Sequence, residues 1–368
     1  PGSLRDLLDL ATVLTLDPFD RTRPLWQFTV IEGLRGGKAA VLAKLHHTIT
    51  DGEGGVEMSL QYLDFERDAP DPVVPDPAER EAVKPPSGPS AATAMRDILA
   101  SSFKLPIGVA RQLKELLADP AHIPAASATA MDTLRGVVTQ LSDTEHARSP
   151  LWTERSLRRR FEVARAPFRA TKDAAKRLGG TLNTAFITAA AEAASRYHIE
   201  MGAPVETLRT SMAVSTRTAE SGANAFSLTR LEVPTAAMPI GERFALIQQA
   251  ADAARGEVRS SGASLDTLAA IAAALPTSLV TRLARQQSQT VDFATSNVRG
   301  APVPMYIAGA QLVNIYPIGP LAGVAFNLTL MSYLGSLDMG LNIDAAAVAE
   351  PGRLATLLEQ SFRDLATA

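Results

Sequence analysis

The chain has 368 residues, of which 46% are apolar and 20% are charged, and its formal net charge is −3. This length suits two domains or one large α/β enzyme, and the composition is that of a soluble globular protein with a sizeable core. The near-neutral charge argues against a dedicated nucleic-acid binder, whose affinity would come from neutralising phosphates. The absence of cysteine excludes disulfides, thiolate nucleophiles and cysteine-ligated metals.

The first 66 residues are predicted to be ordered. Leucines near the start favour a short helix, and two strands are predicted over 27–31 and 39–45, on either side of a glycine-rich turn. The spacing of apolar residues over 55–65 predicts a second helix.

Residues 67–90 have a different composition. Seven of the 24 prolines fall between 70 and 89, mixed with charged residues and serine, so this part is predicted to be a linker or an exposed crossover. Two or three helices are predicted over 91–148. The chain therefore divides into an N-terminal subdomain over 1–66, a proline-rich linker and helical crossover over 67–150, and a C-terminal subdomain over 151–368.

The C-terminal region mixes helices with strands. Helices are predicted over 181–198, 242–258, 265–287 and 347–366. Strands are predicted over 210–214, 226–233, 291–297, 311–316 and 323–344, the last with a hairpin about Gly335 and Ser336. This mixture predicts the α/β class.

A basic stretch over 155–177 holds nine Lys or Arg residues against Glu162 and Asp173. The favoured interpretation is a solvated helix face with ordinary salt bridges. The alternative is a surface that receives the phosphates of CoA or anionic lipid headgroups.

The segment 46–52, His-His-Thr-Ile-Thr-Asp-Gly, follows an apolar strand and carries the clearest chemistry. Successive strand residues point to opposite faces, so we expect His46 and His47 to diverge, one into the core or a buried interface and the other into a cleft. A histidine with a pKa near neutrality can take a proton from a hydroxyl or an amine. Asp51 is predicted to cap the following helix or to pair with an arginine. Gly52 permits a positive φ or the close approach of a substrate.

This segment also has interpretations other than catalysis. A bare pair of histidines is more often structural than catalytic, and two diverging histidines with one carboxylate make a poor metal site, so no metal is predicted. The sequence holds no P-loop, no G-x-S-x-G elbow and no H-E-x-x-H motif. The full pattern H-H-x-x-x-D-G is much more specific than the dipeptide.

On this pattern the sequence resembles the CoA-dependent acyltransferase superfamily, and within it the bacterial wax ester synthase/diacylglycerol acyltransferases. Several segments match in order, and together they span nearly the whole chain outside 67–150. They are 17–26, which ends in Pro-Leu-Trp, then 46–52, 179–183, 211–217, 295–300 and 326–333.

The resemblance implies a fold of two chloramphenicol acetyltransferase-like α/β subdomains, each with a mixed sheet flanked by helices, and a tunnel between them. It implies transfer of a long-chain acyl group from acyl-CoA to diacylglycerol or a fatty alcohol, without a permanently bound cofactor. His47 would be the general base for direct attack on the thioester, and His46 would support it. Asp51 would brace the loop through Arg217.

The resemblance also implies substrate-binding residues. Ser296, Asn297 and backbone amides near Gly52 are the candidates for stabilising the oxyanion. Trp26 and Asn183 are expected to line the substrate path.

Three departures from the family pattern keep alternatives open. The segment that usually precedes the Pro-Leu-Trp region is missing, so the first subdomain is expected to lack its first elements. The usual Asn-Asp pair reads Asn183-Thr184, and the usual proline before Gly300 is Arg299. An acyltransferase with another hydroxyl or amine acceptor, or a non-catalytic lipid-binding paralogue, are the alternatives.

The expected partners are acyl-CoA and a lipid alcohol, with no nucleic acid. The expected location is the cytoplasm, with peripheral contact to a membrane or a lipid droplet. The oligomeric state stays open.

Overall fold

A computed structural model describes residues 2–50, 52–70, 146–215, 226–261 and 289–368, and the structural statements below concern these residues. The helix predicted over 265–287 lies outside them, as do the helices predicted over 91–148 up to residue 145. The same holds for Asp51 and Arg217.

The N-terminal region contains two helices and one hairpin: α1 (Leu4–Leu16), β1 (Trp26–Leu34), β2 (Lys38–Leu45) and α2 (Gly52–Ser59). Ser3 caps α1, since its hydroxyl accepts a hydrogen bond from the backbone of Asp6 while the Asp6 carboxylate accepts one from the backbone of Ser3. β1 and β2 pair antiparallel around Gly36 and Gly37, whose positive φ values suit glycine. The predicted hairpin is confirmed.

The C-terminal region begins with β3 (Arg159–Pro167) and ends with a helix. The elements that follow β3 are α3 (Phe168–Arg177), α4 (Leu182–Glu200), β4 (Thr207–Ser215), β5 (Phe226–Pro234), α5 (Ile240–Ser261), β6 (Phe293–Arg299), β7 (Tyr306–Ile307), β8 (Ala310–Gln311), β9 (Phe326–Tyr333), β10 (Ser336–Asp344) and α6 (Pro351–Thr367).

Six of these strands form one mixed sheet in the order β3-β10-β9-β6-β4-β5. The neighbours β9 and β6, and β6 and β4, are parallel, while the other neighbours are antiparallel. A mixed sheet with flanking helices confirms the predicted α/β class. In the N-terminal region the described strands are the two of the β1–β2 hairpin.

The two faces of the mixed sheet have different partners. One face packs on α4 and α6, where Phe186, Leu328 and Leu358 belong to a single buried apolar cluster. On the opposite face, Leu8 of α1 packs against Phe161 of β3. α2 lies against β6 on that same face, so the N-terminal region packs on this face of the mixed sheet.

The structure corrects three element predictions. The helix predicted over 55–65 begins at Gly52 and ends at Ser59. The strand predicted over 311–316 is a strand only at Gln311, although Leu312 still donates its backbone N–H to Met305 O at 2.9 Å. Further on, the backbone N–H of Ile315 donates to the Asp338 carboxylate at 2.9 Å rather than to a neighbouring strand. The closing helix begins at Pro351 rather than at 347, with proline in its first turn.

The helical interpretation of the basic stretch is wrong for its first part, because Arg159–Pro167 form β3, and a helix, α3, begins only at Phe168. Several cations form the expected salt bridges, among them Arg165 with the buried Asp338 at 3.1 Å and Arg160 with Glu162 at 2.8 Å. Binding of phosphates there is untested.

Candidate active site

The two adjacent histidines lie just beyond the β1–β2 hairpin. The ladder ends where Trp26 faces Leu45, and His46 then donates its backbone N–H to Leu25 O at 3.0 Å. The chain turns here, and Ile49 N donates to His46 O at 2.9 Å. Both side chains are exposed. This exposure contradicts the prediction that one of them enters the core or a buried interface, and neither residue belongs to the strand whose alternation that prediction assumed.

The ring of His46 is held by its own turn. The Thr48 backbone N–H points at His46 Nδ1 from 3.2 Å, and the Thr48 hydroxyl lies 2.8 Å from the same nitrogen. A nitrogen that accepts an N–H carries no proton, so the neutral ring has its proton on Nε2. The ring also meets Phe19 edge-on, with centroids 5.9 Å apart. The sequence pattern did not indicate the part played by Thr48.

Gly52 begins α2, and its lack of a side chain has a clear structural reason. A Cβ built on Gly52 would lie 2.8 Å from Val298 Cγ2, and Gly52 does not adopt a positive φ. Val298 is buried in β6, in the segment that resembles the family's S-N-V-x-G pattern. The requirement for glycine is therefore close packing of the motif helix on β6.

Alternation along β6 separates the two candidate oxyanion donors. Ser296 and Val298 share one face of the strand, which is the face that meets α2, while Asn297 points to the other. Asn297 Nδ2 lies 3.3 Å from Asn183 Oδ1, and Asn183 Nδ2 contacts Met212 Sδ at 3.2 Å. The structure thus brings Ser296 to the side of the motif helix and groups Asn297 with Asn183.

The two substitutions among the departures from the family pattern are accommodated by the fold. Thr184 is fully buried, and its hydroxyl bonds Gln248 of α5 at 2.5 Å. Arg299 is exposed. The next residue, Gly300, retains the family's glycine because a Cβ there would lie 2.3 Å from Ser332 O. Neither changed side chain contacts the histidine turn.

Trp26 lies directly across the ladder from Leu45, next to the histidine turn, and is 54% exposed. Its ring starts an aromatic row: Trp26 and Phe28 have centroids 5.6 Å apart, and Phe28 and Tyr62 have centroids 5.0 Å apart. Position 62 falls in the predicted second helix, so the sequence did not indicate this contact.

Asp51 and Arg217 lie outside the described residues, so their predicted pairing stays a prediction. Within the described ranges, no three histidine, aspartate or glutamate side chains come close enough together to hold a metal ion. None of the helices in those ranges is both long and apolar enough to cross a membrane.

Comparison with solved structures shows the fold. The wax ester synthase/diacylglycerol acyltransferase from Marinobacter aquaeolei VT8 superposes with a TM-score of 0.64 at 22% identity, over 99% of this chain and 77% of that one. The cyclization-docking bidomain of a peptide synthetase from Sorangium cellulosum gives a TM-score of 0.54 at 13% identity, over 99% of this chain and 69% of that one. Both similarities extend over nearly the whole chain.

Comparison with families and relatives shows the membership. Residues 1–186 match the wax ester synthase/diacylglycerol acyltransferase catalytic domain, and residues 222–366 match the C-terminal domain of that family. A putative diacylglycerol O-acyltransferase of Mycobacterium tuberculosis is 30% identical over 99% of this chain and 74% of its own length. A probable diacylglycerol O-acyltransferase of the same species is 29% identical over 100% of this chain and 79% of its own length. The chain therefore belongs to the wax ester synthase/diacylglycerol acyltransferase family.

Proposed function

We propose that this protein transfers a long-chain acyl group from acyl-CoA to the hydroxyl of diacylglycerol or a fatty alcohol. The observation that carries the proposal is family membership over both halves of the chain, together with an exposed His47 in the intact H-H-x-x-x-D-G motif. Relatives named as diacylglycerol O-acyltransferases support this choice of acceptor.

In the proposed reaction His47 takes the proton from the acceptor hydroxyl as its oxygen attacks the thioester carbonyl. The C–O bond forms, the C–S bond breaks, and the proton passes from His47 to the departing thiolate of CoA. No acyl-enzyme forms, which fits a chain without cysteine. Ser296 and the backbone amides near Gly52 would stabilise the oxyanion, and the position of Ser296 on the face towards α2 supports this role.

Other residues would support the reaction. His46, fixed by Thr48, would hold the turn that presents His47. Asp51 would brace the loop, through Arg217. Trp26 and Asn183 would line the substrate path, and Asn297 would act with Asn183, which it contacts.

The proposed domain organisation, substrates and location also follow from membership of the family. Residues 1–66 and 151–368 would form the two acyltransferase subdomains, joined by 67–150 and enclosing a tunnel. Acyl-CoA and a lipid alcohol would be the substrates, with no permanently bound cofactor and no nucleic-acid partner. A cytoplasmic protein with peripheral contact to membranes or lipid droplets would meet its acceptor there.

The test is release of free CoA from a long-chain acyl-CoA by the purified protein, with and without diacylglycerol or a fatty alcohol. Release should depend on the alcohol, and His47→Ala should lower kcat about 100-fold to 10,000-fold because the general base is lost. His146→Ala is the matched control, since His146 is also exposed but lies outside the motif.

Three outcomes would contradict the proposal. Full activity of His47→Ala would show that His47 is not the general base. A strict preference for a polar hydroxyl or an amine in an acceptor panel would favour a different transferase. Acyl-chain binding without any CoA release would favour a non-catalytic lipid-binding paralogue.

A further inference from the structure

The contact between Gly52 and Val298 joins two parts of the chain that are far apart in sequence. Gly52 is the first residue of α2, five residues after His47, and Val298 is in β6, two residues after Ser296. The base and a candidate oxyanion donor therefore sit on different segments, and α2 meets β6 through this pair. Their separation depends on how closely these segments approach.

The two partners have complementary shapes. Val298 is 8% exposed, and a β-branched side chain in a strand has a restricted χ1, so its methyl groups are not free to swing aside. Carbon atoms pack at about 3.5–4.0 Å, whereas a Cβ on Gly52 would lie 2.8 Å from Val298 Cγ2. Any side chain at position 52 would push α2 and β6 apart by more than about half an ångström.

We propose that Val298 is a positioning residue for the transferase reaction: its side chain sets the distance between the His47 turn and the β6 segment that carries Ser296. This inference rests on the proposed function, and it adds a residue that touches neither substrate. The side chain of Val298 occupies the space that is left because Gly52 has no side chain, so the two residues determine the separation together.

The test is a double-mutant cycle in the full-length protein with Gly52→Ala, Val298→Ala and both together. A misplacement of this size is expected to lower kcat about 10-fold to 100-fold in Gly52→Ala. The KM for acyl-CoA is expected to stay within about threefold, because the misplaced groups act on the reacting atoms. The double variant should recover most of the lost kcat, because the new methyl group occupies space that the valine has vacated.

Gly55→Ala is the matched control, because it is the same change in the same helix. A Cβ on Gly55 would meet Thr50 Cγ2 at 3.8 Å, an ordinary contact. This variant should keep the wild-type kcat.

Thermal unfolding of all four proteins of the cycle separates the possible failures. Wild-type kcat in folded Gly52→Ala, or a double variant no better than Gly52→Ala, would overturn the positioning role. If Gly52→Ala lowers the thermal stability but leaves kcat per folded molecule unchanged, the contact between residues 52 and 298 serves packing only. That result also overturns the positioning role. If the wild-type protein transfers no acyl group, the proposed function fails, while non-additive melting temperatures would still reveal the contact itself.

Discussion

At the scale of single residues, the histidine turn depends on contacts made by side chains outside the specified positions of the H-H-x-x-x-D-G motif. Thr48 fixes the orientation and the tautomer of His46, and Phe19 packs against its ring. Lys44 lies over the Phe19 ring, with Nζ 4.8 Å from its centroid. The turn is therefore preorganised although it is exposed.

Thr48→Val should loosen His46 without changing the shape of the side chain, because only the hydroxyl is lost. The backbone N–H of residue 48 remains, so we expect a weaker preference for the Nε2–H tautomer rather than its loss, and a fall in kcat of about threefold to tenfold. Nitrogen-15 chemical shifts of His46 measure the tautomer directly, independently of activity. Thr48→Ser, which keeps the hydroxyl, should behave as the wild type. A predominant Nδ1–H tautomer in the wild-type protein at pH 8 would disprove the arrangement.

A second histidine has the opposite environment. His198 is fully buried, with Nδ1 donating to Ala194 O at 2.7 Å and Nε2 accepting from Ser149 Oγ at 2.7 Å. Burial lowers the pKa of His198, although the charge of Asp292 acts the other way. His198 is therefore a buried structural residue with both ring nitrogens hydrogen-bonded.

The free energy of unfolding should therefore decrease as the pH is lowered below about 6.5. An unfolded histidine takes up a proton near that pH while the native His198 does not, so acid favours the unfolded state by up to about 1.4 kcal/mol per pH unit in that window. Urea titrations between pH 7.5 and pH 5.5 measure this dependence. His198→Asn, which keeps a donor for the Ala194 carbonyl, should flatten it, and an unchanged slope in this variant would exclude His198 as the cause.

At the scale of elements, one buried arginine joins the helices that cover the sheet. Arg243 of α5 is 1% exposed and contacts Glu192 of α4 at 2.8 Å, while its other nitrogens donate to the carbonyl groups of Pro234 and Ala236. These contacts fix the start of α5 against α4 and the end of β5.

Arg243→Met should destabilise the fold by about 3 kcal/mol, because Glu192 loses a buried partner and two carbonyl groups lose their donors. Arg255→Met is the matched control on the same helix. Among the described residues, Asp252 is the ion-pair partner of Arg255, and such a pair with an exposed carboxylate contributes about 1 kcal/mol or less. Equal destabilisation by the two substitutions, measured by urea denaturation, would show that burial of the pair is unimportant.

Elements with a regular pattern of apolar residues were predictable from the sequence. β9 and β10 alternate cleanly around the turn at Gly335, and α4 is long, apolar and capped by Thr181. β3 was missed because its arginines pair with acidic side chains such as Asp338, and those partners are invisible in a local window. The strand expected over 311–316 failed for a similar reason, since the distant Asp338 takes the backbone N–H of Ile315.

At the scale of the whole molecule, the sequence located the motif but not its surroundings. The family resemblance identified His46, His47 and Gly52 as one site, yet the meeting of Gly52 with Val298 depends on a topology that joins residues far apart in the chain. The expected burial of one histidine was wrong because it extended the strand past Leu45. Side chains of distant segments also fasten the two regions together, as where Arg5 of α1 bonds Phe161 O at 2.9 Å and Glu162 at 2.8 Å.

Two of the tightly packed glycines, Gly300 and Gly52, have different evolutionary consequences. The obstacle to a side chain at Gly300 is the main-chain oxygen of Ser332, which no substitution can remove. The obstacle at Gly52 is the removable methyl group of Val298. Across the family, position 300 should therefore stay invariant on its own, whereas positions 52 and 298 can change together, one growing as the other shrinks. Paired substitutions can thus change the motif glycine, whereas no paired substitution can change Gly300, just past the end of β6.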